Sequence, residues 1–346
     1  MQKSTASKPK NATINDVAQH AGVSYQTVSR VINDHPSVAP ETRERIEAAI
    51  RSLDYHPSTT ARNLAAKHSP TIGVVSYGIT HYGPAQMLAS LELAARARGY
   101  TMSDISLSEL TLEQISDAIQ TLRRQRVDGI IMFTPLLEAG SKQIEALCAD
   151  IPLVLTDAEP KAGRYVTSVD QFTGSRLAAQ HLVELGHRKI ALINGPRQWY
   201  AALLRHQGWQ SVLHQAKLQA VADVESDWTA AGGYRVTRGL LESKLAFTGL
   251  LVGNDQMALG ALRALHQHGL SLPRDVSVVG FDDIPEAAYL EPPLTTIRQD
   301  FSVLAQQGLD QLVSRIENPN SKAQVTVLMP TLVVRDSTAP PRSESR

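Results

Sequence analysis

The sequence predicts an α/β protein: a small all-α unit at the amino terminus, followed by a two-lobed body with parallel sheets. Two patterns predict this class. Residues 13–57 show helical spacing of apolar residues and no strand pattern, whereas from Thr71 onward short apolar runs alternate with amphipathic helical stretches. The alternation runs twice, with a break near Val169 and Asp170, which indicates two similar lobes.

The first two predicted helices have clear start and stop signals. Thr13 is followed three residues later by Asp16, the pattern of a capping box, and Gly22 ends this first helix. Ser24 then caps a second helix that turns its valines inward. The outward side chains of the second helix are polar: Tyr25, Gln26, Ser29 and Arg30.

These outward side chains are chemically able to read DNA bases. Arginine offers a fork of donors to guanine O6 and N7, and glutamine satisfies adenine N6 and N7. A third helix, with Pro40 in its first turn, completes a small core with Ile46, Ala49, Ile50 and Leu53. A three-helix packing unit without a nucleic-acid role is the alternative. The polar second helix favours a helix-turn-helix that enters the major groove.

Residues 58–67 predict a short helix that forms only when something docks against it. Ser58 can cap the segment and its alanines favour a helix, but segments of this length are marginal in water. Leu64 is the only large apolar side chain in it. Spacing alone leaves two roles open for Leu64, a wedge in the minor groove of DNA or packing on the body of the protein.

Six short apolar runs are the strand candidates of the body: 72–76, 129–133, 153–156, 189–193, 249–252 and 276–281. Polar residues follow three of them: Asp157, Asn254, Asp255, Asp282 and Asp283. A single aspartate at such a place usually caps the next helix. Recurrence at several strand ends favours a shared ligand in a cleft between the lobes, because the carboxyl ends of parallel strands open toward it.

Composition and missing motifs exclude several other classes. The chain has 42% hydrophobic and 20% charged residues, zero formal net charge and one cysteine, which predicts two or three soluble domains without disulfides. We expect Cys148 to be a semi-buried small hydrophobe. No nucleotide-binding glycine loop, nucleophile elbow or zinc-protease pattern is present, and His266 and His268 lie on different helix faces, so we expect no enzyme, cofactor or metal site. The lack of a long apolar run or secretory signal predicts a cytoplasmic protein without a membrane partner.

Four segments together resemble the LacI/GalR family of bacterial repressors: 22–31 (GVSYQTVSRV), 184–192 (ELGHRKIAL), 254–263 (NDQMALGALR) and 292–301 (PPLTTIRQDF). The resemblance extends from Thr13 to about Val334. It implies a repressor whose paired head-pieces place their recognition helices in the major groove of a near-palindromic operator, with two hinge helices in the central minor groove. It also implies a periplasmic-binding-protein-like core with an effector between its lobes.

The resemblance implies roles for individual side chains. Base contacts fall on Tyr25, Gln26 and Arg30, and the minor-groove wedge on Leu64. Phosphate contacts fall mainly on Ser24, Thr27, Ser29 and Asn33. Sugar-contacting positions are Asp157, Arg205, Trp228, Asn254, Asp282 and Phe301. Charged planar, amide and aromatic groups together suit a sugar ring, although core packing is the alternative for the two aromatic residues.

The resemblance further implies control of a lactose or galactoside utilisation operon, with release of the operator by a galactoside inducer. The alternative is a repressor of the same family that responds to a different sugar or small effector, such as a purine corepressor. Tyr77, His81 and Tyr82 on the first-strand wall depart from the lactose-responsive pattern and leave another substituent or sugar open. Asp34 and Ser37 depart from it beside the recognition helix.

The implied domains are a helix-turn-helix domain (13–57), a hinge helix and linker (58–69), a two-lobed ligand-binding and dimerisation core (70–336) and a disordered tail (337–346). One lobe comprises about 70–169 and 299–328, the other about 170–298 and 329–336. A helix over 84–98 resembles the dimer helix of the family, and the tail contains no leucine heptads. We therefore expect a homodimer on double-stranded operator DNA, not a dimer of dimers.

Two other classes share parts of this pattern. A periplasmic sugar-binding protein would share the two-lobed body but not the DNA-reading unit, and a sugar-processing enzyme is disfavoured by the absent motifs. The marginal hinge predicts a mechanism in which a sugar closes the cleft, changes the spacing of the lobes and releases the hinge helices from DNA. Coupling of this kind is typically about 1 to 3 kcal/mol and reciprocal.

Overall fold

A computed structural model of the chain describes residues 12–32, 37–55, 70–133 and 138–342. The chain divides into two compact units, Met1–Ser69 and Pro70–Arg346. Asn33, Leu64 and the predicted hinge helix lie outside the described residues. No helix within the described ranges is long and apolar enough to cross a membrane.

The described part of the first unit contains the three predicted helices: α1 (Ile14–Ala21), α2 (Tyr25–Ile32) and α3 (Pro40–Ser52). The backbone N–H of Thr13 donates to Asp16 Oδ2 at 2.7 Å, and the N–H of Asp16 donates to Thr13 Oγ1 at 3.3 Å, which completes the capping box. Gly22 ends α1 in the left-handed region at a φ of 63°. Ser24 Oγ accepts the N–H of Thr27 at 3.2 Å at the start of α2. The predicted caps are confirmed.

A small apolar core holds these helices together. Its buried members are Val17, Ala18, Ala21, Val28, Val31, Ile46, Ala49 and Tyr55. Ile50 and Leu53, also predicted to face inward, are half-buried against this core. Tyr55, just beyond α3, was not anticipated because it lies outside any helical period. It adds an aromatic ring to the core of the three-helix unit.

The second unit alternates strands and helices. Its strands are β1 (Thr71–Tyr77), β2 (Thr101–Leu107), β3 (Gly129–Phe133), β4 (Leu153–Thr156), β5 (Val166–Val169), β6 (Ile190–Asn194), β7 (Ala222–Glu225), β8 (Gly249–Val252), β9 (Ser277–Val279), β10 (Thr296–Arg298), β11 (Val325–Leu328) and β12 (Thr331–Val333). Its helices are α4 (Tyr82–Ala97), α5 (Leu112–Arg124), α6 (Glu138–Leu147), α7 (Gln171–Glu184), α8 (Tyr200–Gln215), α9 (Ala230–Glu242), α10 (Asp255–Gln267) and α11 (Phe301–Glu317). A short 3₁₀ helix covers Pro285–Tyr289.

Two parallel sheets form the cores of the two lobes. The first has the strand order β11-β5-β4-β3-β1-β2, and the second has the order β7-β6-β8-β9. A separate antiparallel pair joins β10 to β12. In the first sheet, Val74 lies opposite Asp104 on one side and Ile131 on the other. The predicted two-lobed α/β body is confirmed.

The apolar runs located most of the buried strands but missed the buried strand β5, whose centre is Thr167 and Ser168, and the polar edge strands. Three predicted strands have the observed bounds, and the run at 189–193 is shifted by one residue. The run at 276–281 shortens to β9. The polar strands β2 and β7 were missed, because they lie at sheet edges and each keeps most of its side chains partly exposed. Edge strands of this kind carry no continuous apolar signal.

The predicted disordered tail over 337–346 is wrong for 337–342, which pack on the second lobe. Ser337 is buried, and its Oγ donates to Val278 O at 2.6 Å and accepts the N–H of Thr295 at 2.8 Å. The N–H of Val278 donates back to Ser337 O at 2.9 Å. Because Val278 belongs to the edge strand β9, the tail satisfies backbone groups that the sheet leaves unpaired. Small polar residues suffice for this, so the segment has no apolar signature.

We predict that Ser337→Ala lowers the free energy of unfolding by about 1 to 3 kcal/mol, because it removes the partner of two buried backbone groups. Urea unfolding followed by circular dichroism measures the change. Ser108→Ala is the matched control, since the Ser108 hydroxyl is exposed and bonds only to Gln114 at 3.2 Å. Equal midpoints for the two variants would contradict the anchoring role of Ser337.

Candidate functional site

The second helix of the first unit presents a polar face to solvent. Tyr25 is 48% exposed, and Gln26 and Arg30 are also exposed. Val28 and Val31 face the core. The base-reading candidates therefore share one accessible face of α2, which is the arrangement that a recognition helix needs.

The phosphate-contact candidates on α2 are placed at its start and along its flank. Ser24 is exposed, while Thr27 and Ser29 are half-buried. The hydroxyls of Ser24 and Thr27 lie 2.9 Å apart and bond to each other. Together they place two hydroxyl groups at the amino end of the helix, where backbone N–H groups also favour an anion.

A cleft lies between the two lobes of the second unit. It holds about 560 Å³ of empty space, measured out to its open mouth. All six predicted ligand-binding residues line it: Asp157, Arg205, Trp228, Asn254, Asp282 and Phe301. Other lining residues were not predicted as contacts, among them Gln171, Trp199 and Gln299. The cleft has the mixed apolar and polar lining of a small-molecule site.

The carboxyl ends of the strands deliver these side chains. Asp157 directly follows β4, Trp228 follows β7, and Asp282 follows β9. All three have a positive φ, of 54°, 68° and 109° respectively. Residues other than glycine rarely adopt such angles, and they cluster at ligand sites where the surrounding structure enforces them.

A closed ring of hydrogen bonds joins four buried side chains in the cleft: Gln171, Arg205, Asp282 and Gln299. Arg205 Nε donates to Gln171 Oε1 at 2.9 Å, and Gln171 Nε2 donates to Gln299 Oε1 at 2.8 Å. Gln299 Nε2 donates to Asp282 Oδ1 at 2.7 Å, and Arg205 Nη2 reaches the same oxygen at 3.4 Å. Arg205 Nη1 also donates to the carbonyl of Gly253. The ring fixes the guanidinium and the carboxylate in one orientation each.

Burial shapes the charges of the cleft. It raises the pKa of Asp282 to about 6, although the nearby Arg205 charge and the Gln299 hydrogen bond act in the opposite direction. Burial also raises the pKa of Asp157, again opposed by Arg205. The Asp157 carboxylate is half-buried and makes no hydrogen bond within the described residues. It is therefore available as an acceptor at the cleft wall.

Aromatic rings close the cleft on two sides. Trp228 lies 5.9 Å from Trp199 in an edge-to-face arrangement, and Tyr82 lies 6.0 Å from Phe301. Trp228 is also a member of the second lobe's core, where a Cβ on Gly195 would lie only 2.1 Å from its ring. Trp228 therefore both packs in the core and lines the cleft. Glycine is required at position 195, because any larger side chain would clash with the Trp228 ring.

Capping and cleft lining coincide at Asn254. Its Oδ1 accepts the N–H of Met257 at 2.9 Å as the N-cap of α10, and its Nδ2 donates to Trp228 O at 3.1 Å. Asp255 and Asp283 do not line the cleft. Asp255 accepts hydrogen bonds from Thr296 and Ile284, and Asp283 pairs with arginines. The prediction of a ligand shared by all five strand-end residues is wrong for these two, because internal donors occupy them.

Tyr77, His81 and Tyr82, at and just after the end of β1, were predicted to form one wall of the cleft, and only two of them do. His81 and Tyr82 line the cleft, but Tyr77 does not. Tyr77 instead lies behind Trp199, with ring centroids 5.6 Å apart. Trp199 had no sequence signal, because it stands in an irregular loop before α8. Gln299 lay within the 292–301 segment, but nothing in its spacing distinguished it from a surface glutamine.

Within the described residues, no group of three or more His, Cys, Asp or Glu side chains could hold a metal ion. Cys148 is fully buried, whereas a semi-buried position was predicted.

Comparison with known proteins places both units in one family. Residues 13–58 match the family described as bacterial regulatory proteins, lacI family, and residues 179–338 match the periplasmic binding protein-like domain. The chain is 38% identical over 336 residues to the lactose operon repressor of Escherichia coli (strain K12), covering 97% of this chain and 93% of that protein. The chain belongs to the LacI family.

Two further comparisons agree with this assignment to the LacI family. The chain is 34% identical over 329 residues to the ribose operon repressor of Escherichia coli (strain K12), covering 94% of this chain and 99% of that protein. A crystal structure of the lac repressor dimer bound to operator and the anti-inducer ONPF matches with a TM-score of 0.88 at 38% identity. The match covers 95% of this chain and 100% of that one. This LacI-family protein is a DNA-binding transcriptional repressor.

We predict that the pH dependence of stability changes in Asp282→Asn. Because the pKa of Asp282 is raised, the folded protein binds a proton at this carboxylate more tightly than the unfolded chain does. Protonated Asp282 therefore adds to the free energy of unfolding at low pH, and this contribution is lost as the pH rises through about 6. From about pH 5 to about pH 7, the unfolding free energy of the wild type should fall by about 1 kcal/mol relative to the variant.

Urea unfolding at both pH values measures this difference. Asp283→Asn is the matched control, because it removes a neighbouring carboxylate and leaves Asp282 in place. This variant should show the same fall in unfolding free energy between the two pH values as the wild type. An equal change in unfolding free energy with pH for the wild type and Asp282→Asn would contradict the prediction that Asp282 has a raised pKa in the folded protein.

Proposed function

We propose that this repressor controls a lactose or galactoside utilisation operon and leaves its operator when a galactoside binds between the lobes. The observation that most supports the proposal is the convergence of six side chains, each expected at a sugar-contacting position, on one cleft. The relative of 38% identity, a lactose operon repressor, points in the same direction.

The cleft chemistry suits a sugar ring. The hydrogen-bond ring holds Arg205 and Asp282 as a rigid donor and acceptor for neighbouring hydroxyls. Asp157 adds a free acceptor, and the Asn254 amide keeps one N–H beyond the one that bonds to Trp228 O. The aromatic wall of Trp228 and Trp199 suits the apolar face of a pyranose.

The DNA-reading proposal rests on the exposed face of α2. Tyr25, Gln26 and Arg30 would contact bases in the major groove. Phosphates would be contacted by Ser24, Thr27, Ser29 and Asn33. Leu64 would act as the wedge in the minor groove. We further propose that the protein binds a near-palindromic operator as a homodimer, which would pair two such helices.

Contacts that cross the cleft support the proposed release mechanism. The Trp199 ring of the second lobe lies 5.6 Å from Tyr77 and 5.8 Å from His81 of the first lobe. The N–H of Tyr82 reaches Gln256 Oε1 at 3.4 Å. A bound sugar that stabilises one distance between these groups would favour one arrangement of the two lobes over another. By reciprocity, operator binding must then alter sugar affinity.

The aromatic wall also supports a second candidate, a repressor of the same family with a different sugar effector. His81, Tyr82 and Trp199 add ring surface on the side of the cleft where a glycoside would place its substituent. Burial lowers the pKa of His81, so its imidazole is neutral at pH 7 and packs as an aromatic group. A disaccharide or an aryl glycoside would bury more area there than a simple alkyl galactoside.

We predict tight binding of a fluorescently labelled, lac-like palindromic duplex that is relieved by a thiogalactoside. Fluorescence anisotropy at fixed salt measures both steps, and a scrambled duplex of equal length is the control for non-specific binding. Tight operator binding that ignores the thiogalactoside but responds to another glycoside would favour the second candidate. Equal affinity for the scrambled duplex would contradict the operator proposal itself.

We predict that Arg205→Lys weakens thiogalactoside binding about 100-fold and leaves operator affinity unchanged. Lysine cannot reproduce the fork that bonds to Gln171, Gly253 and Asp282, and hydrogen bonds to charged groups contribute about 1.5 to 3 kcal/mol each. Isothermal titration with the sugar and anisotropy with the operator measure the two affinities.

Arg176→Lys is the matched control, because Arg176 also bonds to side chains of a neighbouring helix, Ser211 at 3.1 Å and Gln215 at 3.3 Å, but lies outside the cleft. Retained operator binding shows that the Arg205 variant is folded. Unchanged sugar affinity in Arg205→Lys would contradict the proposed role of the cleft.

A further inference from the structure

A second cavity lies within the first lobe, at the amino ends of β4 and β5. It holds about 610 Å³ of empty space, measured out to its mouth. Side chains from α6 and its end, from both strand starts and from α11 wall it. It shares no lining residue with the inter-lobe cleft, which opens at the opposite, carboxyl ends of the same strands.

A buried arginine lines this cavity without satisfying its donors. Arg164 is only 8% exposed, and its Nη1 makes no hydrogen bond. Its Nε lies 2.5 Å from Glu145 Oε1, yet that oxygen receives no hydrogen bond of acceptable geometry. An unpaired donor on a buried charged group is costly, so Arg164 would be stabilised by a negative charge placed in the cavity that it lines.

A second arginine faces the same cavity from α11. The Arg315 guanidinium lies 4.7 Å from the centre of the Tyr165 ring, which holds its plane. The Tyr165 hydroxyl is itself fixed by Ser321, whose Oγ lies 2.8 Å away. Within the described part of the chain, Arg315 has no carboxylate partner. With two arginines against Glu145, the charged groups of the lining carry a net positive charge.

Five of the other side chains that line the cavity are apolar. They belong to Cys148, Ala149, Ile151, Leu153 and Leu155. A site with a cationic side and an apolar side matches a molecule with an anionic head and a hydrocarbon body. We propose that this cavity binds a small organic anion, whose phosphate or carboxylate head bonds to Arg164 and Arg315 and whose apolar body packs against these residues.

Isothermal titration of the full-length protein with phenyl phosphate and with benzoate tests the proposal and distinguishes the two kinds of head group. Phenol serves as the neutral probe, and a saturating thiogalactoside is present throughout to occupy the inter-lobe cleft. We expect at least one anion to bind at millimolar concentration or tighter, and phenol to bind about tenfold more weakly or not at all.

Arg315→Met should weaken the binding of that anion about tenfold, since it removes one charged donor and keeps the apolar stem. The double variant Glu145→Gln with Arg164→Met should do the same without leaving an unpaired buried charge. Arg176→Met is the matched control, because Arg176 also lies over an aromatic ring, Phe172 at 5.9 Å, but is far from this cavity in the other lobe. It should leave the affinity unchanged.

Cys148 gives an independent readout, since it is the single cysteine of the chain and lines the cavity. The bound anion should slow its reaction with a small thiol reagent in the wild type and in Arg176→Met, but not in Arg315→Met. Absence of binding by either anion, equal affinity in Arg315→Met and wild type, or an unprotected Cys148 at saturating anion would each overturn the proposal.

Discussion

The cleft depends on the closed hydrogen-bond ring of Gln171, Arg205, Asp282 and Gln299. Each member is buried, and each satisfies a polar group that burial would otherwise leave unpaired. Two members also stand where the chain passes between the lobes, Gln171 just after β5 and Gln299 just after β10. The same network therefore fixes the charged groups of the cleft and ties them to the segments by which the chain passes from one lobe to the other.

Local signals in the sequence were enough to place the described helices of the first unit and the buried strands that are apolar throughout. The Thr13 and Asp16 pair, Gly22 and Ser24 act within a few residues of themselves, so their effect can be read without tertiary information. Buried strands such as β3 can also be recognised locally, because they are continuous apolar runs. The polar edge strands and the packed tail depend on partners distant in sequence, and no local pattern records those partners.

The sequence predicted that a cleft lies between the lobes, but it identified only some of the residues that line it. Strand-end position alone selected Asp157 and Asp282 correctly for the cleft wall, but also Asp255, which internal donors occupy. Arg205 and Trp228 entered only through the family resemblance. The two ring glutamines had no signal of their own, because a glutamine that closes a buried network has the same local sequence character as one on the surface.

The positive φ angles of Asp157, Trp228 and Asp282 constrain how this cleft can diverge. β-Branched residues are strongly disfavoured at such backbone angles, so relatively few substitutions are open at these positions. His81 and Tyr82 carry no such backbone constraint. New effector preferences should therefore accumulate through changes on the first-strand wall, while the strand-end residues drift slowly. The backbone thus leaves the strand-end side of the cleft less open to substitution than the side that carries His81 and Tyr82.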